Sequence, residues 1–447
     1  MKLERLKNIN FRNISQIFYI LTILSLFFPI RHVFPTLSSY QIGAYSDFTS
    51  ISLYLCDILL ILSFLFIFPR GITFLNNKKS LIAIICWIII INLANIGYFS
   101  GSGSFFLLKY LELIIVAYGT SVILFENTKF LEQILAIFLI FGTFESIIAI
   151  FQFIYQKSLG LNKLGEQIIG PNIDGVAKII VNGQKFIRSY GTFPHPNLLS
   201  AFLFTTLLLN LWFFLKTDHS IQKYILSTTL VINCFGLLLT FSRAAYLALA
   251  IGLIVFFGGY FAKKINPKKL ISAGLIIIIS LGLGLVMLKP YLLTRTTVSD
   301  YSSKERIFYA KIGANIIKDH PLVGVGFGQS IFLMQKYSPV KLWPWEIQPI
   351  HNYFLLAAAE MGIIGSMLLF IFFLLHVKQL LKNIHQKRRD ASLQITLVSI
   401  LIGFLILMQF DHYFYTIEQT QLLLWIILGI INGQTKISPE EEKKSAP

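Results

Sequence analysis

The sequence predicts an all-α, polytopic integral membrane protein with about twelve transmembrane helices. Of its 447 residues, 55% are apolar and 13% are charged, which is a more apolar composition than soluble domains have. Apolar blocks of about 20 residues recur along the chain, and this length crosses the hydrocarbon core of a bilayer. The composition excludes a water-soluble fold. The net charge of +17 then reflects membrane topology rather than binding of nucleic acid.

The predicted spans form a single membrane domain over residues 1–447. They are placed at 14–30, 49–69, 80–98, 105–125, 130–155, 197–215, 223–241, 244–261, 270–288, 352–376, 391–410 and 416–432. Read as one helix, 223–261 would be about 58 Å long at a rise of 1.5 Å per residue, nearly twice the hydrocarbon thickness. We therefore expect this stretch to fold back at Ser242 and Arg243.

The basic residues predict the orientation of the spans. They concentrate in alternate connections, such as 262–269 and 377–390, whereas the short connections on the other side carry Arg31 and Arg243. Because Lys and Arg are enriched in cytoplasmic loops, both termini are predicted to be cytoplasmic. The tail 433–447 is predicted to be disordered in the cytoplasm.

Two external connections, 156–196 and 289–351, are much longer than the others, and long loops commonly carry the functional site of a rigid scaffold. The larger one, between spans nine and ten, is the expected catalytic loop. Its residues 303–318 mix apolar and charged side chains, which predicts an amphipathic helix on the outer membrane face. The glycine-rich run 324–328 is expected to be a flexible turn without a nucleotide-binding role.

Three arginines near predicted span ends, Arg188, Arg243 and Arg306, are candidate anion ligands. Guanidinium groups are always charged and hold phosphate oxygens with a two-pronged donor geometry. A cluster of them at the outer face suits a lipid-linked phosphate or diphosphate. The alternative is that each arginine only anchors a helix end to lipid headgroups.

His351 begins the tenth span and is the candidate general base. A histidine near its ordinary pKa of about 6.5 can take a proton from an attacking hydroxyl. The alternative is an interfacial histidine bonded to a carbonyl. His195, Asn197 and Asn352 are candidate supporting residues: Asn352 opens the helix, and Asn197 is the expected N-cap after His195 in a proline-flanked entry.

Acidic residues lie inside several predicted spans, where a charge is by default a candidate for function. They are Asp57, Glu112, Glu145 and Glu360. Glu112 can pair with Lys109 three residues earlier on its own helix. Glu360 follows His351 by nine residues, which places it on the opposite helix face, so the two are not a predicted dyad. The small residues Ala358, Gly362 and Ser366 predict close helix packing.

No metal site and no cofactor are predicted. The chain contains no Asp-x-Asp motif, and a magnesium-bound diphosphate needs at least a pair of carboxylates. The arginines would then have to neutralise the leaving group.

Four segments of the chain resemble the O-antigen ligase and O-antigen polymerase superfamily of bacterial envelope glycosyltransferases. They are Arg188–Asn197, Thr240–Ala244, Glu305-Arg306 with His320–Gly326, and His351–Tyr353 with Glu360–Gly365. The resemblance implies a donor glycan on a polyprenyl diphosphate, used at the periplasmic or external face without metal or nucleotide. It implies that Arg188, Arg243 and Arg306 bind the diphosphate and that His351 activates the acceptor hydroxyl.

The resemblance also implies a location in the bacterial inner (plasma) membrane and a glycan, lipid or protein acceptor. The leading hypothesis is a ligase-type transfer, with repeat-unit polymerisation as the near alternative. A flippase or transporter of lipid-linked glycan is the rival from another class. It predicts charges along a central path, whereas here they concentrate at one face. An inactive interaction protein with the same fold is a further alternative.

Overall fold

The computed structural model describes residues 11–67, 78–95, 101–126, 128–293, 301–386 and 390–434. These residues are mostly helical, in keeping with the predicted class. The helices are α1 (Phe11–Ser25), α2 (Leu55–Ile67), α3 (Lys78–Ala94), α4 (Gly101–Glu126), α5 (Thr128–Tyr155), α6 (Pro196–Lys216), α7 (Ser220–Leu238), α8 (Arg243–Ala262), α9 (Pro267–Met287), α10 (Lys289–Leu293), α11 (Tyr301–Asp319), α12 (Ser330–Tyr337), α13 (Tyr353–His385), α14 (Ala391–Leu407), α15 (Tyr413–Thr416) and α16 (Glu418–Gly433).

Each predicted span coincides with a helix, and seven of the described helices are long and apolar enough to cross a membrane: α4, α5, α6, α7, α8, α9 and α13. The apolar helices α1, α3 and α14 are shorter. A polytopic, helical membrane protein is therefore confirmed. The count of twelve spans stays a prediction, and most of the expected tail 433–447 lies outside the described residues.

The ends of the first two spans differ from the prediction. Helix α1 ends at Ser25 rather than near residue 30, and Pro29 follows, which has no backbone N–H to continue a helix. Residues 51–54 form a strand instead of the first turns of span two. The predicted fold-back at Ser242 is confirmed, because α7 ends at Leu238 and α8 begins at Arg243.

Two short antiparallel strand pairs lie in the connections of the otherwise helical chain. Strand β1 (Arg31–Phe34) pairs with β2 (Ile51–Tyr54), and β3 (Lys178–Val181) pairs with β4 (Gln184–Ile187). The second pair turns at Asn182-Gly183, and both residues have positive φ, 50° and 82°. An Asn-Gly pair adopts such a turn readily, so this hairpin had a sequence signal that the prediction overlooked.

Helix α6 is the centre of the bundle. It packs against α5, α7, α8, α9, α14 and α16, and nearly all of its side chains are buried. Asn197 near its N-terminus lines the candidate site, together with residues near the N-terminal ends of α8, α11 and α13.

The amphipathic helix predicted over 303–318 forms as α11. Its buried side chains Tyr309, Ile312 and Ile316 share one face, and the helix packs against α13. A Cβ at Gly313 would lie 2.8 Å from the Ile350 side chain, so this side chain packs closely against the helix. The apolar face is thus covered by protein, and the location of α11 relative to the membrane stays a prediction.

Helix α13 is broken at Gly362, where φ is 71°. The glycine-rich run 324–328, the expected flexible turn, is hydrogen-bonded to α13 at this break. The N–H of Val325 donates to Ala359 O and the N–H of Gly326 donates to Glu360 O, each at 3.0 Å. A Cβ at Gly362 would lie only 1.8 Å from the carbonyl oxygen of Leu322. The loop thus replaces the helix's own hydrogen bonds at the break, which the sequence analysis did not predict. Ala358, Gly362 and Ser366 are all buried, and the loop packs directly against Gly362.

Candidate active site

A cavity of about 500 Å³ lies where the N-terminal ends of α6, α8, α11 and α13 meet. Its lining includes Asn197, Arg243, Ser303, Arg306, His351 and Asn352, and we call it the cationic cavity. The N-terminus of a helix carries partial positive charge and unsatisfied N–H groups. Several such ends and two guanidinium groups around one space favour an anionic ligand.

The two arginines of this cavity are held by neutral oxygens. Arg243 is the first residue of α8, and its Nη2 donates to the Ser303 hydroxyl at 2.9 Å. Arg306 donates from Nε to the carbonyl of Phe410 at 2.8 Å and from Nη1 to the Ser302 hydroxyl at 2.7 Å. These hydrogen bonds position the two guanidinium groups at the cavity.

Arg188 lies behind the lining of the cavity instead of in it. Its side chain is buried, Nε donates to the carbonyl of Thr240 at 2.7 Å, and Nη2 donates to Asn197 Oδ1 at 2.6 Å. The structure therefore brings Arg243, Arg306 and His351 together at one cavity, and connects Arg188 to that cavity through Asn197.

His351 is fixed by two other rings. It stacks on Tyr309 of α11 at a centroid distance of 5.1 Å and an interplanar angle of 16°. His412 meets it edge-on at 5.1 Å and 86°. The sequence placed His351 at the start of a span, but no spacing in the sequence indicated either ring partner.

Asp411 and His412 belong to the site although the prediction missed them. The Oδ2 atom of Asp411 accepts from Asn197 Nδ2 at 2.8 Å, and Oδ1 accepts from the His412 backbone N–H at 2.9 Å. The ring of His412 bonds through Nδ1 to the Thr416 hydroxyl at 2.6 Å. The available signal was an adjacent acid and histidine in a short connection between two apolar segments.

Burial and charge set the protonation states of these groups. Burial lowers the pKa of His351. The charge of Asp411 raises this pKa in part, and the charge of Arg306 lowers it further. Burial disfavours the ionised carboxylate of Asp411, but His412, His351 and Arg306 overcome this and hold its pKa below the ordinary value. At neutral pH the site therefore combines a neutral imidazole, which can accept a proton, with an ionised carboxylate.

The three supporting residues have separate positions. Asn352 caps α13, accepting from the Leu355 N–H at 2.8 Å, and this confirms that it opens the helix. The expected N-cap at Asn197 was wrong, because the cap of α6 is His195, whose Nδ1 accepts from the Asn197 N–H at 3.1 Å. Burial, followed by the charge of Arg188, lowers the pKa of His195 to about 3, so this ring stays neutral.

Two of the acidic residues inside spans anchor the loops that build the site. Glu145 of α5 accepts from the N–H of Thr192 at 2.8 Å and from its hydroxyl at 2.6 Å. Glu360 of α13 accepts from the N–H of Gly328 at 2.8 Å and from the Ser330 hydroxyl at 2.7 Å. Both carboxylates thus have structural partners, and Glu360 is not hydrogen-bonded to His351.

One group near the cavity has residue types that bind metals. The ligand atoms of His351, Asp411 and His412 lie within 4.8 Å of one another. The hydrogen bonds from Asn197 and Thr416 already account for atoms of Asp411 and His412. The metal-free site stays a prediction that needs a chemical test.

The geometry shows a helical membrane protein in which two arginines and a half-buried histidine line one cavity. Residues 228–370, about a third of the chain, match the family described as O-antigen ligase. This match confirms the resemblance to the O-antigen ligase superfamily, and with the apolar helices it indicates a bacterial membrane enzyme of the ligase and polymerase type. The matched segment contains Arg243, Arg306 and His351. A search of curated proteins finds no match.

Proposed function

We propose that this protein transfers a glycan from a polyprenyl-diphosphate carrier to an acceptor hydroxyl on the external face of the bacterial inner membrane. The observation that carries the proposal is that Arg243, Arg306 and His351 line one cavity. These residues come from three separate helix beginnings. Headgroup anchoring would place each arginine at its own helix end and would not require an imidazole in the same cavity.

In this reaction the acceptor hydroxyl attacks the anomeric carbon, and the bond from that carbon to the diphosphate oxygen breaks. The proton of the hydroxyl passes to His351, which is neutral because burial lowers its pKa. Arg243 and Arg306 stabilise the negative charge that develops on the departing diphosphate. A direct displacement of this kind inverts the anomeric centre.

Arg188 supports the reaction indirectly in this proposal. It holds Asn197, which in turn holds Asp411 beside His351. The diphosphate itself is bound by Arg243 and Arg306, and Arg188 adds long-range positive charge from behind the lining.

The ligase-type reaction is the leading proposal, and polymerisation of repeat units is the alternative. Both use the same donor site and differ in the acceptor. A flippase or transporter of lipid-linked glycan is the rival proposal. The location of Arg243, Arg306 and His351 in one terminal cavity favours an enzyme, because a transporter needs its charges along a path through the bundle.

The experiment is a transfer assay with the purified full chain in liposomes, polyprenyl-diphosphate glycan and candidate acceptors. We expect transfer by the parent protein and its loss in His351→Ala, with binding of the donor lipid retained. If His351→Ala transfers glycan at the normal rate, the enzymatic role of His351 is wrong. If the parent protein has no affinity for the anionic donor lipid, the whole proposal is wrong.

The same assay tests the metal-free prediction. We expect equal rates with and without EDTA, because the arginines take the role of a divalent cation at the diphosphate. Loss of activity in EDTA, restored by a divalent metal, would assign His351, Asp411 and His412 to a metal site instead.

A further inference from the structure

The β1–β2 strand pair has an exposed face that is largely apolar. In its register Leu53 lies opposite His32 and Ile51 lies opposite Phe34, and residues two apart in a strand point to the same side. The rings of His32 and Phe34 pack edge-on at 4.6 Å between centroids. Leu53 and Phe34 are exposed, whereas Ser52, which points to the other side, is buried. The face with Leu53 and Phe34 is therefore turned away from the protein.

This face adjoins α2, the helix predicted as the second membrane span. Strand β2 ends at Tyr54, and α2 begins at Leu55, whose N–H donates to the carbonyl of Ile30 at 2.9 Å. The exposed apolar side chains of α2 recur at helical spacing along one side: Leu55, Ile58, Ile61 and Leu65. In a helix that crosses a bilayer, such an exposed apolar stripe faces lipid. The strand pair thus begins where the lipid-facing side of a predicted span ends.

The connection between the two strands adds exposed apolar and aromatic side chains. Leu37 and Tyr40 are the first and last residues of one short helical turn, and Leu37 is 95% exposed. The ring of Tyr40 packs edge-on against that of Tyr45 at 5.9 Å between centroids. Single exposed apolar residues are ordinary on a protein surface, but a group of them marks an interaction site.

Two tryptophans of the large external loop lie beside this connection. Pro344 packs against Gly43, where a Cβ would lie 3.3 Å from its Cγ atom. Trp343 and Trp345 flank this proline and stack on each other, with centroids 5.2 Å apart and an interplanar angle of 2°. They are 58% and 68% exposed. We call the exposed side chains of the two segments the aromatic surface: His32, Phe34, Leu37, Tyr40, Tyr45, Leu53, Trp343 and Trp345.

We propose that the aromatic surface lies in the external interface of the bilayer and anchors the large external loop to the lipid. Tryptophan and tyrosine are enriched at this depth, because their rings are apolar and their N–H and O–H groups bond to water and headgroups. The junction with α2 favours lipid over a glycan or a second copy of the chain, because the surface continues from the lipid-facing side of that helix.

The anchored loop is connected to the candidate base. The carboxylate of Glu346 accepts from the N–H of Trp343 at 2.8 Å, and the carbonyl of Glu346 accepts from the hydroxyl of Tyr309. His351 stacks on the ring of Tyr309. Insertion of the tryptophans would thus hold the part of the loop next to His351 close to the lipid headgroups. The anchoring itself does not depend on the proposed reaction.

The first test measures the depth of a spin label at Leu37 in the full chain, reconstituted in phosphatidylcholine nanodiscs. The label is attached to Leu37→Cys in a Cys86→Ala background, because Cys86 is exposed whereas Cys56 and Cys234 are buried. Since the Leu37 side chain is almost fully exposed, its replacement removes no packing within the protein. Lys185→Cys, an exposed position on β4, is the matched control.

We expect oxygen, which concentrates in lipid, to relax the Leu37→Cys label more than a water-soluble nickel complex does. The Lys185→Cys label should show the reverse order. Equal access of the nickel complex to both labels overturns the proposal, because Leu37 then faces water. Spin–spin broadening of the Leu37→Cys label that disappears on dilution with unlabelled protein also overturns it, because a second copy of the chain then covers the surface.

The second test uses the fluorescence of the tryptophan pair in the same nanodiscs. The signal of the pair is the difference between the parent chain and the double variant Trp343→Phe with Trp345→Phe. We expect phosphatidylcholine brominated near the headgroup end of its acyl chains to quench this signal, and aqueous iodide to leave it nearly unchanged. Quenching by iodide and not by the brominated lipid overturns the proposal. Neither test uses donor lipid or transfer, so failure of the anchor is distinguishable from failure of the proposed function.

Discussion

Two cavities of the molecule each contain two cations but hold them differently. The cationic cavity contains Arg243 and Arg306, and a second cavity, with Tyr54 in its lining, contains Arg31 and Lys109. In the cationic cavity Arg306 is positioned by a backbone carbonyl and a serine hydroxyl, which are both neutral. In the second cavity Lys109 faces three carboxylates. Arg306 forms no salt bridge among the described residues, whereas the charge of Lys109 is paired within the fold.

A buried cation by itself therefore does not indicate an anion-binding site, because the groups that it contacts must be known first. Lys109 and Arg306 are both basic residues in helices, and the sequence does not distinguish them. The partners of Lys109 lie on α2 and α16 as well as on its own helix, so only the packed bundle neutralises it. Substitutions at the two residues and at their neighbours test this distinction between Lys109 and Arg306.

Removal of the proposed general base, His351, should have the largest effect. His351→Ala is expected to lower kcat about 10²- to 10⁴-fold, because general base catalysis contributes that much. The measurement is the steady-state rate of transfer in liposomes with donor lipid and acceptor in excess. His320→Ala is the control, since this histidine bonds Tyr337 and does not line the cationic cavity. A rate for His351→Ala equal to that of the control would contradict the assignment.

Removal of the paired cation should affect stability rather than catalysis. Lys109→Met leaves Asp57, Glu112 and Glu418 together without their cation, and breaking such a buried pair costs about 3–5 kcal/mol. We expect a clearly lower Tm in nanodiscs. The double variant Lys109→Met with Glu418→Gln should recover part of the loss, because one carboxylate charge is removed as well. A Tm equal to that of the parent would show that Lys109 is not paired as described.

Removal of Arg306, a cation that lines the cationic cavity, should affect donor binding rather than stability. Arg306→Ala is expected to raise KM for the donor about 10- to 100-fold, since a hydrogen bond to a charged group contributes about 1.5–3 kcal/mol. Its Tm should stay close to that of the parent, because its partners are neutral oxygens. Arg306→Lys keeps the charge but not the two-pronged geometry and should recover only part of the affinity. An unchanged donor KM together with a large loss of Tm would contradict the distinction, because Arg306 would then stabilise the fold instead of binding the donor.

The smallest expected effect is a shift of the pH profile in Asp411→Asn. Asp411 raises the pKa of His351, against the lowering by burial. The base must be neutral to act, so activity falls as the pH decreases through this pKa. Loss of the Asp411 charge lowers the pKa further and should move the acidic limb of kcat/KM to lower pH. A shift to higher pH would contradict the described electrostatics.

Much of the fold was predictable because each span has its own periodicity and length. The helix boundaries in the core, such as those of α5 and α6, differ from the predicted spans by one or two residues. The predicted helix boundaries were wrong where another segment of the chain forms hydrogen bonds with the backbone. Residues 51–54 pair with β1 instead of extending α2, and the loop 321–326 breaks α13 at Gly362.

By itself the sequence determined the membrane class, the helical spans and three residues that line the cationic cavity, Arg243, Arg306 and His351. Apolar length and the chemistry of guanidinium and imidazole are local properties, so no tertiary information was needed for them. Only the tertiary structure decided that Arg188 lies behind that cavity, that Asp411 and His412 join it, and that Lys109 is neutralised. These outcomes depend on which side chains meet from distant parts of the chain. Burial then sets the partners, the pKa and the accessibility of each group, and none of these is encoded in the spacing of residues along one helix.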